Sequence, residues 1–318
     1  MSFLNLYRHN FARVAVCIPE VRVADPAFNA EKSVALLEEA GRRRAILALF
    51  PELGLSAYSC EDLFHQQALL DGAQAALARI VAASREIPVI AVVGVPLVVD
   101  SLLFNCAVVV HGGRVLGVTP KTYLPNYREF YELRQFTPGD VASRATIELL
   151  GQRDVPFGSR LVFQVENQPL FAFHAEICED LWTPIPPSSY AALAGATVLL
   201  NLSASNIIVG KDGYRRELGS NQSARCLAAY LYSAAGFGES TTDLAWDGHG
   251  FVYENGSLLA ESDRFAYGSQ LVTADIDLDR IAQDRMRQNS FGESIRRPAR
   301  DVSQFRTGRP TPAPPHDR

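Results

Sequence analysis

The sequence predicts an α/β protein, a four-layer α-β-β-α sandwich of two mixed sheets. A continuous apolar run at residues 45–50 suits a strand buried on both faces, and residues 89–95 and 197–202 read as further strands. Stretches with helical apolar spacing lie between several of these strands. Elsewhere turn residues join strand to strand directly, whereas a simple doubly wound sheet would alternate strand and helix throughout. Hairpins recurring among strand–helix units call for mixed sheets. Two such sheets packed face to face, with helices outside, cover every apolar face.

The first strand is read at residues 13–19. A helix follows over 29–41, with Val34, Leu36 and Leu37 at helical spacing and Gly41 at its end. Residues 45–50 form the second strand, which stops at Pro51-Glu52. A long helix is expected from about Cys60 to Arg85, with Ser59 as N-cap and Asp62 in its first turn, complementing the helix dipole. Residues 89–95 form the next strand. Three hairpins are then expected: 104–110 with 115–118 through Gly112-Gly113, 161–165 with 169–173 across Glu166-Asn167-Gln168, and 250–253 with 258–260 across Asn255-Gly256. Between the last two lie a strand at 197–202, a helix at 213–228 and a strand at 230–235. The last strand is read at 269–275 and a closing helix at 278–287. One domain is thus expected over residues 1–287. Residues 288–318, polar and rich in Arg and Pro, read as a tail or interdomain linker.

Of 318 residues, 47% are apolar and 20% charged, enough for a large core. The net charge of −5 is spread along the chain, which excludes the basic field of a nucleic-acid binder. No apolar run approaches the roughly 18 residues of a membrane span, and Met1-Ser2-Phe3-Leu4-Asn5 lacks a signal-peptide pattern. The cysteines (Cys17, Cys60, Cys106, Cys178, Cys226) are odd in number, widely spaced and never C-x-x-C. That pattern argues against disulfides and zinc and for a reducing, cytoplasmic setting.

Cys178 closes an apolar, strand-like run (169–177) and is followed at once by Glu179 and Asp180. Neighbouring acids raise a thiol's pKa, so this cysteine suits a thiol deprotonated on demand by a carboxylate base. Glu52 ends an apolar strand, where α/β proteins commonly place function, although a solvated loop acid would look the same. Lys121 leaves a hairpin strand between Pro120 and Pro125, so a rigid loop presents it, although taken alone it reads as a solvated surface lysine and its value comes from the set. Together the three supply a mechanism. Glu52 takes the thiol proton, the Cys178 thiolate attacks an amide or nitrile carbon, and the Lys121 ammonium stabilises the oxyanion. Glu52 then protonates the leaving ammonia, and water hydrolyses the thioester. Cys60 is the rival nucleophile, because Cys60-Glu61-Asp62-Leu63-Phe64 echoes the Cys178 string and a helix N-terminus would lower its pKa. It follows Glu52 within one loop, however, and no buried strand precedes it. Cys17, Cys106 and Cys226 read as core residues. His174 and His249 lack an Asp or Asn at a telling spacing, so a Cys-His hydrolase is the weaker enzyme reading.

Phe50-Pro51-Glu52, Lys121 before Tyr123-Leu124-Pro125, and Cys178-Glu179-Asp180-Leu181-Trp182 resemble the Glu-Lys-Cys constellation of the nitrilase superfamily of carbon-nitrogen hydrolases. The string from Lys121 to Glu132, Asn201-Leu202-Ser203-Ala204-Ser205-Asn206, and Arg285-Met286-Arg287-Gln288-Asn289-Ser290-Phe291-Gly292 are similar to the glutaminase domain of glutamine-dependent NAD+ synthetases. The resemblance runs to about residue 300 and implies a nitrilase-like sandwich that releases ammonia from L-glutamine. It also implies that Glu129, eight residues after Lys121, is a second, supporting glutamate. Tyr58, Tyr127, Glu179, Ser205 and Lys211 would hold glutamine, a substrate whose α-ammonium and α-carboxylate call for an acid and a cation. The glutaminase reaction would use no metal or cofactor. The S-G-G-x-D-S loop that binds ATP pyrophosphate is not in the sequence. ATP and Mg are therefore expected only through a synthetase domain or subunit, the ammonia acceptor, and the resemblance implies a homo-oligomer. The alternatives are a free-standing amidase on small amides and a non-catalytic scaffold subunit.

Overall fold

The computed structural model describes residues 5–296. The first half of the chain supplies β1 (Phe11–Ile18), α1 (Pro26–Arg42), β2 (Leu47–Leu49), α2 (Gln67–Ala83), β3 (Ile90–Val99), β4 (Leu102–His111) and β5 (Arg114–Pro120). A small hairpin, β6 (Thr146–Leu149) and β7 (Gln152–Pro156), leads into the second half. There follow β8 (Phe163–Gln164), β9 (Ala172–Ile177), α3 (Pro187–Leu193), β10 (Val198–Ser203), α4 (Lys211–Cys226) and β11 (Ala229–Ala234). The chain continues through β12 (Gly250–Glu254), β13 (Ser257–Glu261), β14 (Gln270–Asp277), α5 (Leu278–Arg287) and α6 (Asn289–Arg296).

Two six-stranded sheets result, in the orders β14-β1-β2-β3-β4-β5 and β13-β12-β11-β10-β9-β8. Each contains three parallel strands, β1, β2 and β3 in one and β9, β10 and β11 in the other, extended by antiparallel strands. The predicted four-layer sandwich of mixed sheets is the observed one. Val14, Val16, Leu49 and Val92 of the first sheet meet Ala175, Ile177, Leu202 and Leu231 of the second in a buried layer. Leu37 of α1 and Leu77 and Ile80 of α2 cover the first sheet's outer face. Residues of α3 and α4, including Ala191 and Cys226, pack with Leu199, Tyr230 and Tyr232 on the second. Each fully buried Val or Leu contributes about 1.5–3 kcal/mol of transfer free energy, so this alternation pins the register of both sheets.

The long helix expected from Cys60 is broken. Residues Glu61–His65 form a short 3-10 turn, Gln66 is extended, and α2 starts at Gln67. Ser59 does not cap it, because its hydroxyl donates to the buried Glu239 carboxylate at 2.5 Å, as does its N–H at 3.0 Å. Strand β7 was hidden by its charge, and α3 by its brevity, although Pro187 at its first turn is a helix-start signal. Residues 289–296, assigned to the tail, form a helix with Phe291 buried. The rest of the expected tail, 297–318, lies outside the described residues. None of the described helices is long and apolar enough to cross a membrane.

Candidate active site

Glu52 follows β2 in a tight turn that packs across β3. Gly94 of β3 makes the turn possible, since a Cβ there would lie 2.2 Å from the Leu53 nitrogen and 2.5 Å from the Pro51 carbonyl oxygen. The Glu52 N–H donates to the Ser203 carbonyl at the end of β10, which ties this turn to the opposite sheet. Its Oε1 accepts from Lys121 Nζ at 2.6 Å and from Asn105 Nδ2 at 2.7 Å. Lys121 also donates to Glu132 Oε1 at 2.7 Å, and the Tyr58 hydroxyl donates to that same oxygen at 2.7 Å. Glu52 and Lys121 are fully buried. Burial alone would lower the Lys121 pKa, but the Glu132 and Glu52 carboxylates and Cys178 hold it well above the usual lysine range. One ammonium cannot offset two buried carboxylates. Burial, helped by the Glu52 charge and opposed by Lys121, pushes Glu132 up to about 7.

Cys178 begins a 3-10 turn, Cys178–Trp182, at the C-terminal end of β9, with φ +44°. This left-handed conformation costs a non-glycine residue about 1–2 kcal/mol, and the surroundings hold it. Buried Asp180 accepts from the N–H groups of Ile177 and Tyr123, both at 2.9 Å. It thereby fastens the cysteine turn to the loop that carries Lys121. Asn201 of β10 accepts from the Cys178 N–H at 3.2 Å. Burial, with Glu52 adding and Lys121 opposing, pushes the Cys178 thiol up to about 12, so it rests protonated. The second Glu52 oxygen, Oε2, is buried with no protein partner.

Cys178 lies in a cleft of about 440 Å³ whose walls include Tyr127, Glu179, Trp182, Ser205 and Lys211. Four residues predicted to hold substrate, Tyr127, Glu179, Ser205 and Lys211, thus share the cleft with the cysteine. The Tyr127 hydroxyl donates to Glu179 at 3.0 Å, and the Ser205 hydroxyl is buried without a partner. Lys211 donates to Asn206, 5.1 Å from the Trp182 ring, and burial lowers its pKa.

Two of the expected residues make contacts other than those their expected roles suggest. Glu129 does not touch Lys121; its carboxylate accepts from Asn206 Nδ2 at 2.6 Å and lines the cleft. Glu132, eleven residues after the lysine, takes the supporting position. The chain turns at Arg128, with φ +51°, and the Glu132 N–H returns to the Pro125 carbonyl, aiming Glu132 inward. Tyr58 stands behind the cleft, on Glu132 and edge-to-face with Trp246 at 5.3 Å, where both line a smaller neighbouring cavity. Glu132, Asn105 and Asn201 were not singled out from the sequence; Glu132 closes the quoted Lys121 string, but no local signal ranks it above Glu129.

The rivals fall away. Cys60 is buried with Sγ on the Ser56 carbonyl at 3.1 Å, and burial pushes it up to about 12, opposite to the lowering expected at a helix start. Burial pushes His174 down to about 4, with its Nδ1 on the Leu161 carbonyl. His249 bonds Glu261 at 2.6 Å. Neither histidine lines the cleft.

The carbon-nitrogen hydrolase family pattern matches residues 13–286. The chain belongs to the carbon-nitrogen hydrolase family. It is 49% identical over 306 residues to a glutamine-dependent NAD(+) synthetase of Mycobacterium tuberculosis, covering 96% of this chain and 45% of that protein. A similarly named protein of Aquifex aeolicus is 31% identical over 289 residues, which is 88% of this chain and 46% of the relative. The chain therefore spans about half the length of the curated relatives it matches. Among solved structures, a glutamine-dependent NAD(+) synthetase from Cytophaga hutchinsonii superposes with a TM-score of 0.72 at 27% identity, covering 84% of this chain and 43% of that one. A carbon-nitrogen hydrolase from Helicobacter pylori gives 0.70 at 19% identity over 91% of this chain and 96% of that one, a likeness of fold. In this carbon-nitrogen hydrolase, the Lys121 ammonium and the Glu52 and Glu132 carboxylates form one buried cluster, close enough to Cys178 to act on its thiol.

Proposed function

We propose that this chain is the glutamine-hydrolysing half of a glutamine-dependent NAD+ synthetase. It releases ammonia from L-glutamine, and a synthetase domain outside this sequence uses that ammonia to amidate nicotinic acid adenine dinucleotide. The observation that carries the reading is the cleft, where Cys178 lies with a cation, Lys211, and acids, Glu179 and Glu129, on the walls. A zwitterionic amide finds both of its charges matched there. The 49% identity to the mycobacterial protein supports the same reading.

Glu52 receives the Cys178 proton through its unpartnered oxygen, and the thiolate attacks the side-chain amide carbon of glutamine. Lys121 sits where negative charge develops on the oxygen, already oriented by two carboxylates. Glu52 returns the proton to the departing nitrogen, ammonia leaves, and a water activated by Glu52 cleaves the thioester to glutamate. Glu132 and Tyr58 hold Lys121 in place. This half-reaction uses no cofactor; ATP and Mg act in the synthetase half. The proposal places the protein in the cytoplasm as a homo-oligomer.

The test is ammonia release from glutamine by the chain and by Cys178→Ala. The substitution should lower the rate on the order of 10⁴-fold or more, with glutamate and ammonia formed in equal amounts by the unsubstituted chain. Equal ammonia from the variant would overturn the role of Cys178. Turnover of neutral small amides as fast as glutamine would instead mark a free-standing amidase.

A further inference from the structure

We infer that Asn206 is a positioning residue that makes the cleft selective for zwitterionic amides, by standing between Lys211 and Glu129. The inference rests on the glutaminase reading and extends it to a residue outside the catalytic set. Asn206 is 4% exposed. Its amide has one accepting and one donating end, and each meets a charge: Oδ1 accepts from Lys211 Nζ, and Nδ2 donates to Glu129 Oε1 at 2.6 Å. Both charged groups line the cleft with Cys178. Lys211 has three donors, so one bond to Asn206 leaves it able to take a substrate carboxylate. With the neutral amide between them, cation and acid stay separated and each can serve an opposite charge on the substrate. A direct ion pair would use up both.

The backbone of Asn206 is itself held. Fully buried Arg215 donates through Nη2 to the Ser205 and Asn206 carbonyls, at 3.3 Å each. Its Nη1 is fixed on Asp247 at 2.9 and 3.1 Å, and Asp247 also accepts from Arg264 at 2.9 Å. A buried guanidinium anchored by a buried carboxylate makes a stiff support. The amide therefore meets Lys211 and Glu129 from a fixed point. No residue of similar size replaces it: Asp would keep the acceptor for Lys211 and repel Glu129, and Leu would release both.

Two alkylating probes separate recognition from thiol chemistry. A diazo-ketone analogue of glutamine carries the α-ammonium and α-carboxylate, whereas iodoacetamide is neutral. Both are scored as Cys178 labelling by intact mass, with Cys178→Ala as the blank. In Asn206→Leu and Asn206→Asp, the ratio of the zwitterionic to the neutral labelling rate should fall about 10- to 100-fold, as expected for loss of hydrogen bonds to charged groups. A wild-type preference for the zwitterionic probe that persists in both variants overturns the inference and leaves the glutaminase reading standing. So does an equal slowing with both probes, which would mark a merely structural residue. A wild type that labels with iodoacetamide but shows no preference for the analogue overturns both. Asn206→Asp, close in shape to the original, decides the matter if Asn206→Leu does not fold, with thermal melts recorded on each.

Discussion

Lys121 is a single ammonium held between two buried carboxylates, Glu52 and Glu132, at 2.6 and 2.7 Å. This crowding gives the residue-scale prediction. Glu132 titrates at about 7 in the folded protein, against its ordinary 4.5, chiefly because burial disfavours its charge. The folded state therefore binds this proton more tightly than the unfolded chain. The stability it contributes is complete below pH 4.5 and is lost as pH rises through about 7. Glu132→Gln should flatten the fall in melting temperature across that window. One proton sets a ceiling of about 1.4 kcal/mol per pH unit on the difference. The same variant loosens Lys121, so kcat on glutamine should fall on the order of 10²-fold with a smaller change in KM. Parallel melting curves for wild type and variant would show that Glu132 does not titrate there.

At the scale of elements, the site is built from strand ends, and strand ends were what the sequence displayed best. Glu52 after β2, Lys121 after β5 and Cys178 after β9 each follow a strand that the sequence displayed. Glu52 and Lys121 taken singly read equally as solvated residues, however, and only the set of three and its resemblance singled them out. Glu132 was not singled out, because its approach to Lys121 depends on the left-handed turn at Arg128 and a bond back to Pro125. Cys60 misled in the opposite direction: its string echoes Cys178-Glu179-Asp180, yet the chain buries its sulfur in a loop instead of starting a long helix on it. Gly94 carried no signal beyond a small residue within a strand. Its role appears only when the Glu52 turn lies across it, with Leu53 N 2.2 Å from where a Cβ would be. Gly94→Ala must push that turn away, backbone against backbone. A cost of about 1–3 kcal/mol or more is expected, read as a lower melting temperature, together with a loss of glutamine turnover larger than the fraction unfolded explains. A variant that melts like wild type with full turnover would show that the Glu52 turn has room to move.

Across the whole molecule, the cleft depends on two sheets staying in register, because Glu52 and Lys121 belong to one and Cys178, Ser205 and Asn206 to the other. The chain's last described segment helps hold them together. Strand β14 pairs with β1 in the first sheet, and Leu278 and Ile281 of the following α5 join the layer between the sheets. From α5, Arg285 reaches the helices over the second sheet and donates to the carbonyls of Ala196, Cys226 and Leu227 at 2.6, 3.0 and 2.9 Å. Burial lowers the Arg285 pKa to about 10. Phe291 of α6 covers the guanidinium, whose carbon lies 4.9 Å from the ring centre. The folded unit therefore extends past the boundary at Arg287 that composition suggested, through α6. A chain ending after Arg287 would give up the Phe291 burial, worth about 1.5–3 kcal/mol, and would open Arg285 to water. It should melt about 2–5 °C lower than a chain ending after Arg296. Identical melting of the two truncated chains would show that α6 adds nothing to the fold, and would return the boundary to Arg287.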